Sequence, residues 1–111
     1  MHEMSIAMSV LETARDQARG RRVAKIGLRI GEWSGVDRDS LEFCFDAMVA
    51  SDEKPTRLEI DYLPRQNRCD RCGLCFSLAN LEIACPRCGF SPTTPVSGDE
   101  LDIAYLELED L

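Results

Sequence analysis

Two short stretches, CDRCG at residues 69–73 and CPRCG at residues 85–89, each hold a pair of cysteines two residues apart with a glycine behind the second. That spacing lets both sulfurs point inward from one tight turn, and the glycine lets backbone amides approach the thiolates. Twelve residues lie between Cys72 and Cys85, so the two turns can face each other and offer four sulfurs as a tetrahedron. Zinc takes that geometry and brings no redox chemistry of its own. Cys69, Cys72, Cys85 and Cys88 are therefore the candidate ligands of a structural zinc ion. Four sulfurs leave no position for water, so such a site holds structure and does not catalyse. A redox dithiol pair and an iron-sulfur cluster are the competing readings, but both knuckles have the shape of a zinc ribbon. Cys75, three residues beyond Cys72, is left outside the site as a surface or packing cysteine; its alternative is a spare ligand or an oxidisable sensor. Cys44 falls in an apolar helical stripe and reads as a small buried hydrophobe.

The second candidate for chemistry is His2, the only histidine in the chain. With a free terminal amine on Met1, the amine, the deprotonated amide nitrogen of His2 and the imidazole can chelate one ion in a plane. Ni(II) and Cu(II) prefer square-planar nitrogen, whereas zinc gains nothing from planarity. Glu3 adds a carboxylate within reach. The other reading of His2 is a solvated residue at a helix start. An ordinary α-amine has a pKa of about 7.7 to 8.0, so a chelate of this kind strengthens as pH rises near neutrality.

The elements that must carry these residues follow from periodicity. Met4, Ala7, Met8, Leu11, Ala14 and Ala18 recur at intervals of three and four, which predicts an amphipathic helix from Glu3 to Arg19 with Gly20 as its stop. Ala24, Ile26, Leu28 and Ile30 alternate with Val23, Lys25, Gly27 and Arg29 as in a half-buried strand. GEWSG breaks that pattern. Asp39 and Glu42 resemble a capping box, and Leu41, Cys44, Phe45 and Met48 share a helical stripe running to about Ala50. Leu58, Ile60 and Tyr62 make a second strand closed by Pro64. LDIAYLELE is apolar on both sides, with Leu101, Ile103 and Tyr105 on one and Ala104, Leu106 and Leu108 on the other, and is expected as a central strand. The expected fold is α+β: a three-stranded sheet with two helices on one face, plus an inserted zinc-ribbon-like unit built on four cysteines. Residues 1–64 and 96–111 form the body and residues 65–95 the metal unit, where five of the six cysteines gather.

Composition excludes several classes. At 111 residues the chain supports one core and an appendage. No apolar run approaches the length of a spanning helix, and the first twenty residues carry Glu3, Glu12 and Asp16 in place of a signal peptide's apolar centre. A cytoplasmic, non-membrane protein is expected. The net charge of −7 divides into −3 for residues 1–64, +2 for 65–95 and −6 for 96–111, a poor match for a polyanion. No nucleic acid is expected as partner, although a nucleic-acid-binding zinc ribbon using Arg65, Arg68, Arg71 and Arg87 is one rival reading. A thiol redox sensor using Cys75 is another. With the one histidine at the terminus, no Ser or Cys has an evident base, and the chain reads as a non-enzyme.

MHEMS before an amphipathic helix, then IGEWSGVDRDSLEFCFD, then two C-x-x-C knuckles and a closing strand, together resemble the HypA/HybF family. These are the nickel-delivery proteins of nickel-iron hydrogenase maturation, and the likeness covers essentially the whole chain in order. It implies that His2 and the terminal nitrogens, with Met1 supplying the amine, bind Ni(II) as cargo, that Glu3 occupies the supporting position, and that Cys69, Cys72, Cys85 and Cys88 bind structural Zn(II). Asp37 falls where some members carry an acid proposed near nickel; a helix cap or a solvated loop acid is its other reading. Trp33, in the same loop, faces a partner or is an ordinary exposed aromatic. The implied partners are a HypB-type GTPase, the hydrogenase large-subunit precursor as recipient and, in some organisms, urease maturation proteins, with the chain a monomer or a homodimer. Cys75 and the lack of a second histidine depart from the family pattern, the latter leaving a fourth planar ligand to backbone, carboxylate or partner.

Overall fold

The computed structural model describes residues 2–77 and 84–110. Helix α1 (Glu3–Ala18) starts directly after His2 and ends where Arg19 turns left-handed, at φ 51°. The sequence pattern places Arg19 inside the helix; its conformation, continued by Gly20 at φ 86°, stops the helix one residue sooner. Strand β1 (Val23–Gly31), helix α2 (Arg38–Val49) and strand β2 (Arg57–Leu63) follow. Ala7, Leu11, Ala14 and Ala18 of α1, Leu41, Phe45 and Val49 of α2, and Ile26, Leu28 and Ile30 of β1 bury into one core. Phe45, Ile26, Leu28, Ile30 and Leu41 are each under 2% exposed, and such burial stabilises by about 1.5–3 kcal/mol per side chain. Cys44 is half-buried at the margin of that core, less enclosed than its place in the stripe suggested.

Helix α2 is capped by Asp37, not by Asp39 as the sequence pattern suggested. The Asp37 carboxylate accepts from Ser40 N at 3.1 Å, and its carbonyl accepts from Leu41 N at 3.0 Å. Asp39 instead stands in the first turn, where its charge suits the helix dipole.

The first sheet has the order β2-β1-β6, β6 being Leu101–Leu108. Strand β1 runs parallel to β2, with Ile26 opposite Leu58, and antiparallel to β6, with Ile30 opposite Leu101. The centre is thus β1, and β6 is an edge strand, a correction to the expectation that it lies inside. A bulge explains the misleading pattern: Tyr105 faces Gly27 and Ile103 faces Leu28, so Ala104 is the extra residue. The bulge exchanges faces mid-strand. Ile103, Leu106 and Leu108 all pack on the core, while the Tyr105 ring lies over Gly27. On that polar face Lys25 meets Glu59 at 2.8 Å and Arg29 meets Asp102 at 2.7 Å.

Between β2 and β6 the chain builds a second, all-antiparallel sheet of order β4-β3-β5, from β3 (Gln66–Cys69), β4 (Cys75–Ser77) and β5 (Thr93–Ser97). Among the described residues its buried positions hold few apolar side chains. Asn67 Nδ2 donates to Thr93 Oγ1 at 2.8 Å, and the buried positions beside that pair are Cys69 and Cys85.

The GEWSG loop staples both crossings between the sheets. Gly31 N donates to Glu100 O, Glu32 N to Leu63 O and Trp33 N to Gly98 O, at 2.8, 2.8 and 2.7 Å. The Glu32 carboxylate accepts from Arg65 N at 3.1 Å. The Arg65 guanidinium lies 4.5 Å from the centre of the Trp33 ring and 3.5 Å from Asp99. A methyl group on Gly31 would collide with the Gly98 carbonyl, which is backbone and cannot turn aside; on Gly27 it would meet only the Tyr105 ring, which can swing outward. Gly31→Ala is accordingly expected to cost about 3 kcal/mol and Gly27→Ala about 1 kcal/mol in urea unfolding. Equal costs would show that the junction yields as readily as a surface ring.

Candidate metal centres

The two knuckles are near-copies of one turn. Gly73 N donates to Cys69 O at 2.9 Å and Gly89 N to Cys85 O at 2.8 Å, with the glycines at φ 78° and 76°. This left-handed region suits glycine and turns the chain back beneath the sulfurs. Cys69 N then donates to Leu74 O and Cys85 N to Phe90 O. The reversal brings Cys72 N to 3.3 Å from the Cys69 sulfur and Cys88 N to 3.5 Å from the Cys85 sulfur.

Facing each other, the knuckles place the sulfurs of Cys69 and Cys88 3.5 Å apart and those of Cys72 and Cys85 3.6 Å apart, with all four within 4.8 Å. A tetrahedral zinc with bonds of about 2.3 Å has sulfur-sulfur edges of about 3.8 Å. The donor set therefore fits zinc in number, softness and spacing. Amide donors, Cys72 N foremost, draw the Cys69 thiol below its ordinary range. The Leu74 amide and then Arg87 bring the Cys72 thiol down to about 6. The Phe90 amide works in the same direction on Cys88, but burial and the three neighbouring sulfurs outweigh it and push that thiol up to about 11. Negative charge thus collects on part of the cluster before any metal arrives, which is what a cation-binding thiol site requires. Arg87 also donates to Cys72 O at 3.1 Å, bracing one knuckle from the other. Cys75 is exposed, pairs with Arg68 in the β3-β4 ladder and stands outside the four-sulfur group.

At the other candidate centre, His2 is exposed at the head of α1, and its carbonyl accepts from Ile6 N at 3.2 Å. No side-chain bond caps that helix. Met1, whose amine the chelate requires, lies outside the described residues. Glu3 and Asp37 do come together: Glu3 Oε2 accepts from Asp37 N at 3.4 Å, while the Asp37 carboxylate is engaged with Ser40. The start of α1 and the loop before α2 therefore share one end of the body. Among the described residues the four cysteines are the one group of three or more potential ligands within reach of a single ion.

A cap and a ligand make different demands on Asp37. Asp37→Ala is expected to lower stability by about 1 kcal/mol, and Asp37→Ser, which still caps, by much less. Thermal unfolding of the two variants checks this, and nickel affinity equal in both and in the parent would leave the residue a cap alone.

Sequence reasoning did not find Arg65, Trp33 or Arg87 as partners of the junction and the knuckles. Trp33 and Arg65 are far apart in the chain, and no local pattern announces their stacking.

A family model described as hydrogenase/urease nickel incorporation, metallochaperone, HypA matches residues 1–108. The hydrogenase maturation factor HypA of Geobacter sulfurreducens is 40% identical over 110 residues, covering 98% of this chain and 100% of the relative. Its counterpart from Geobacter metallireducens is 42% identical with the same coverage. Among solved structures, the nickel metallochaperone HypA from Helicobacter pylori, in solution, aligns with a TM-score of 0.61 at 21% identity, covering 97% of each chain. A second solution structure, of HypA protein, aligns at 0.67 and 22% identity, over 98% of this chain and 97% of the other.

Proposed function

Since the chain belongs to the HypA family of nickel-incorporation metallochaperones, we propose that it binds Ni(II) at its amino terminus and passes it to the hydrogenase large-subunit precursor. It is a metallochaperone of hydrogenase maturation and not an enzyme. The Met1 amine, the His2 amide nitrogen and the His2 imidazole hold the ion, and Glu3 supports them.

One observation carries this reading. His2 engages the helix through its carbonyl, which accepts from Ile6 N, and the first amides of a helix have no partner within it. Taking a proton from the His2 amide to form a planar nickel chelate therefore breaks no helical hydrogen bond. A site at the exposed head of a helix is also only partly enclosed, so a recipient's thiolates can displace its ligands one at a time. Protonation of the amine and amide drives the same release.

Cys69, Cys72, Cys85 and Cys88 would hold the structural zinc, which would supply the unit with a core that its described side chains do not. Residues 65–95 then act as a rigid metal-built module inserted into a body of residues 1–64 and 96–111. In the same reading the chain works in the cytoplasm, alone or as a homodimer, with a HypB-type GTPase as donor or helper and, in some settings, urease maturation proteins. The nucleic-acid alternative is weakened by the engagement of Arg65 with Trp33 and of Arg87 with Cys72 O.

The pH dependence tests the chelate. Each proton that must leave for nickel to bind adds about tenfold in affinity per pH unit below that group's pKa. Calorimetric titrations are expected to give nickel affinity rising by at least about tenfold per unit from pH 6 to 7.5. A flat profile would exclude a site built on amine and amide nitrogen.

A further inference from the structure

Strand β6 has a partner on one side only: it pairs with β1, and among the described residues no strand lies beyond it. At eight residues it leaves open a row of main-chain donors and acceptors, the kind of edge that proteins ordinarily shorten, cover or charge. On the helical side a cleft of about 310 Å³ runs between this strand and α1, lined by Ile6, Val10, Thr13, Leu28, Leu101 and Ile103. Edge and cleft form one slot. An added strand would take main-chain hydrogen bonds from β6 and sink alternate side chains into the cleft, the mode by which sheets capture extended peptides.

Charge decides what kind of strand fits. On the polar face the outermost ionised groups of this edge are Asp102 and Glu107, 49% and 54% exposed. The cations that pair with them, Arg29 and Lys25, sit on β1, one strand spacing of about 4.8 Å further in. Lys25 is moreover only 18% exposed. A newcomer meets carboxylates first. Residues 96–111 contain six acids and no Lys or Arg, so a second copy of β6 would set acid against acid, an arrangement that destabilises cross-strand pairs. A strand bearing cations would set opposite charges side by side.

We infer that the β6 edge and the α1 cleft are a docking slot for an extended partner segment in which Lys or Arg alternates with aliphatic residues. The inference rests on edge geometry and charge and is independent of where nickel binds.

The test uses the zinc-replete, nickel-free chain, a short labelled peptide alternating lysine with valine, and its counterpart alternating glutamate with valine. Fluorescence anisotropy is expected to give the basic peptide at least about tenfold tighter binding, and hydrogen exchange to slow at amides of Leu101–Leu108. Thr13→Lys, an exposed substitution at the cleft, is expected to weaken the basic peptide by about tenfold, and Glu107→Lys to remove most of the preference between peptides. Circular dichroism of both variants verifies that the fold is kept. Equal affinity for the two peptides, no binding of either, protection away from β6, or dimerisation through β6 at the concentrations used would each overturn the proposal.

Discussion

Adding a single residue before Met1, or replacing His2 by alanine, is expected to weaken nickel binding by at least about 100-fold, roughly 2.7 kcal/mol, while leaving the zinc content unchanged. The extension keeps every side chain and only moves the amine out of reach of the imidazole. His2→Ala keeps the amine and removes the ring. Neither touches a packed residue, since His2 is exposed and makes no side-chain cap, so α1 should persist by circular dichroism. Nickel is best followed by calorimetry together with the absorption band of a planar nitrogen complex. Should both variants bind as the parent does, the amino terminus holds no cargo, and ligands would have to be sought among the exposed carboxylates or the knuckles.

The second large effect concerns the four-cysteine unit. Cys72→Ala is expected to abolish zinc binding and, with it, the β4-β3-β5 sheet, while the body of β2-β1-β6 and two helices remains folded. The reasoning is one of magnitude. A structural zinc contributes about 10–16 kcal/mol of apparent binding energy near pH 7, whereas among the described residues of this unit the buried ones are few and partly polar: Cys69, Cys85, Asn67 and Thr93. Amide exchange resolved by residue would separate the outcomes, with fast exchange at Gln66–Cys69 and retained protection at Ile26–Ile30 as the expected pattern. Cys75→Ser serves as control and is expected to keep full zinc content, because Cys75 stands outside the four-sulfur group. Loss of zinc in the control and its retention in Cys72→Ala would exchange their roles.

Much of this architecture is legible in the sequence because the deciding interactions are local. Cysteines two residues apart report a knuckle directly, and the alternation of Ile26, Leu28 and Ile30 reports a strand with one buried face. The α+β fold with two helices over three strands follows from those periods. What escaped is where a local pattern and a distant partner disagree. The β6 sequence looks apolar on both sides only because Ala104 is a bulge, and a bulge is defined by the opposing strand, here Gly27 and Leu28. Asp39 has the spacing of a capping box, but Asp37 is placed first by the loop, with Glu3 accepting from its amide. The stacking of Arg65 on Trp33 and the bracing of Cys72 by Arg87 join separate stretches, and no window along the chain contains both members. The proposed nickel site at His2 rests on residue type at the amino terminus together with the family resemblance, since a chelate of neighbouring nitrogens needs no fold to assemble it.

The course of β1 gives the body a polarity. At its end, Gly31 leads into the loop that reaches both the start of α1 and the crossings to the second sheet. At its beginning, Val23 pairs with Leu108, and Arg21 and Arg22 grip the backbone and carboxylate of Glu109. Nine residues of strand at about 3.3 Å each separate these poles by roughly 26–30 Å. The carboxyl-terminal pole is therefore the natural handle: a fluorophore or surface tether attached there leaves the opposite pole, where the nickel site is proposed, unobstructed, whereas an amino-terminal affinity tag would sit on that proposed site.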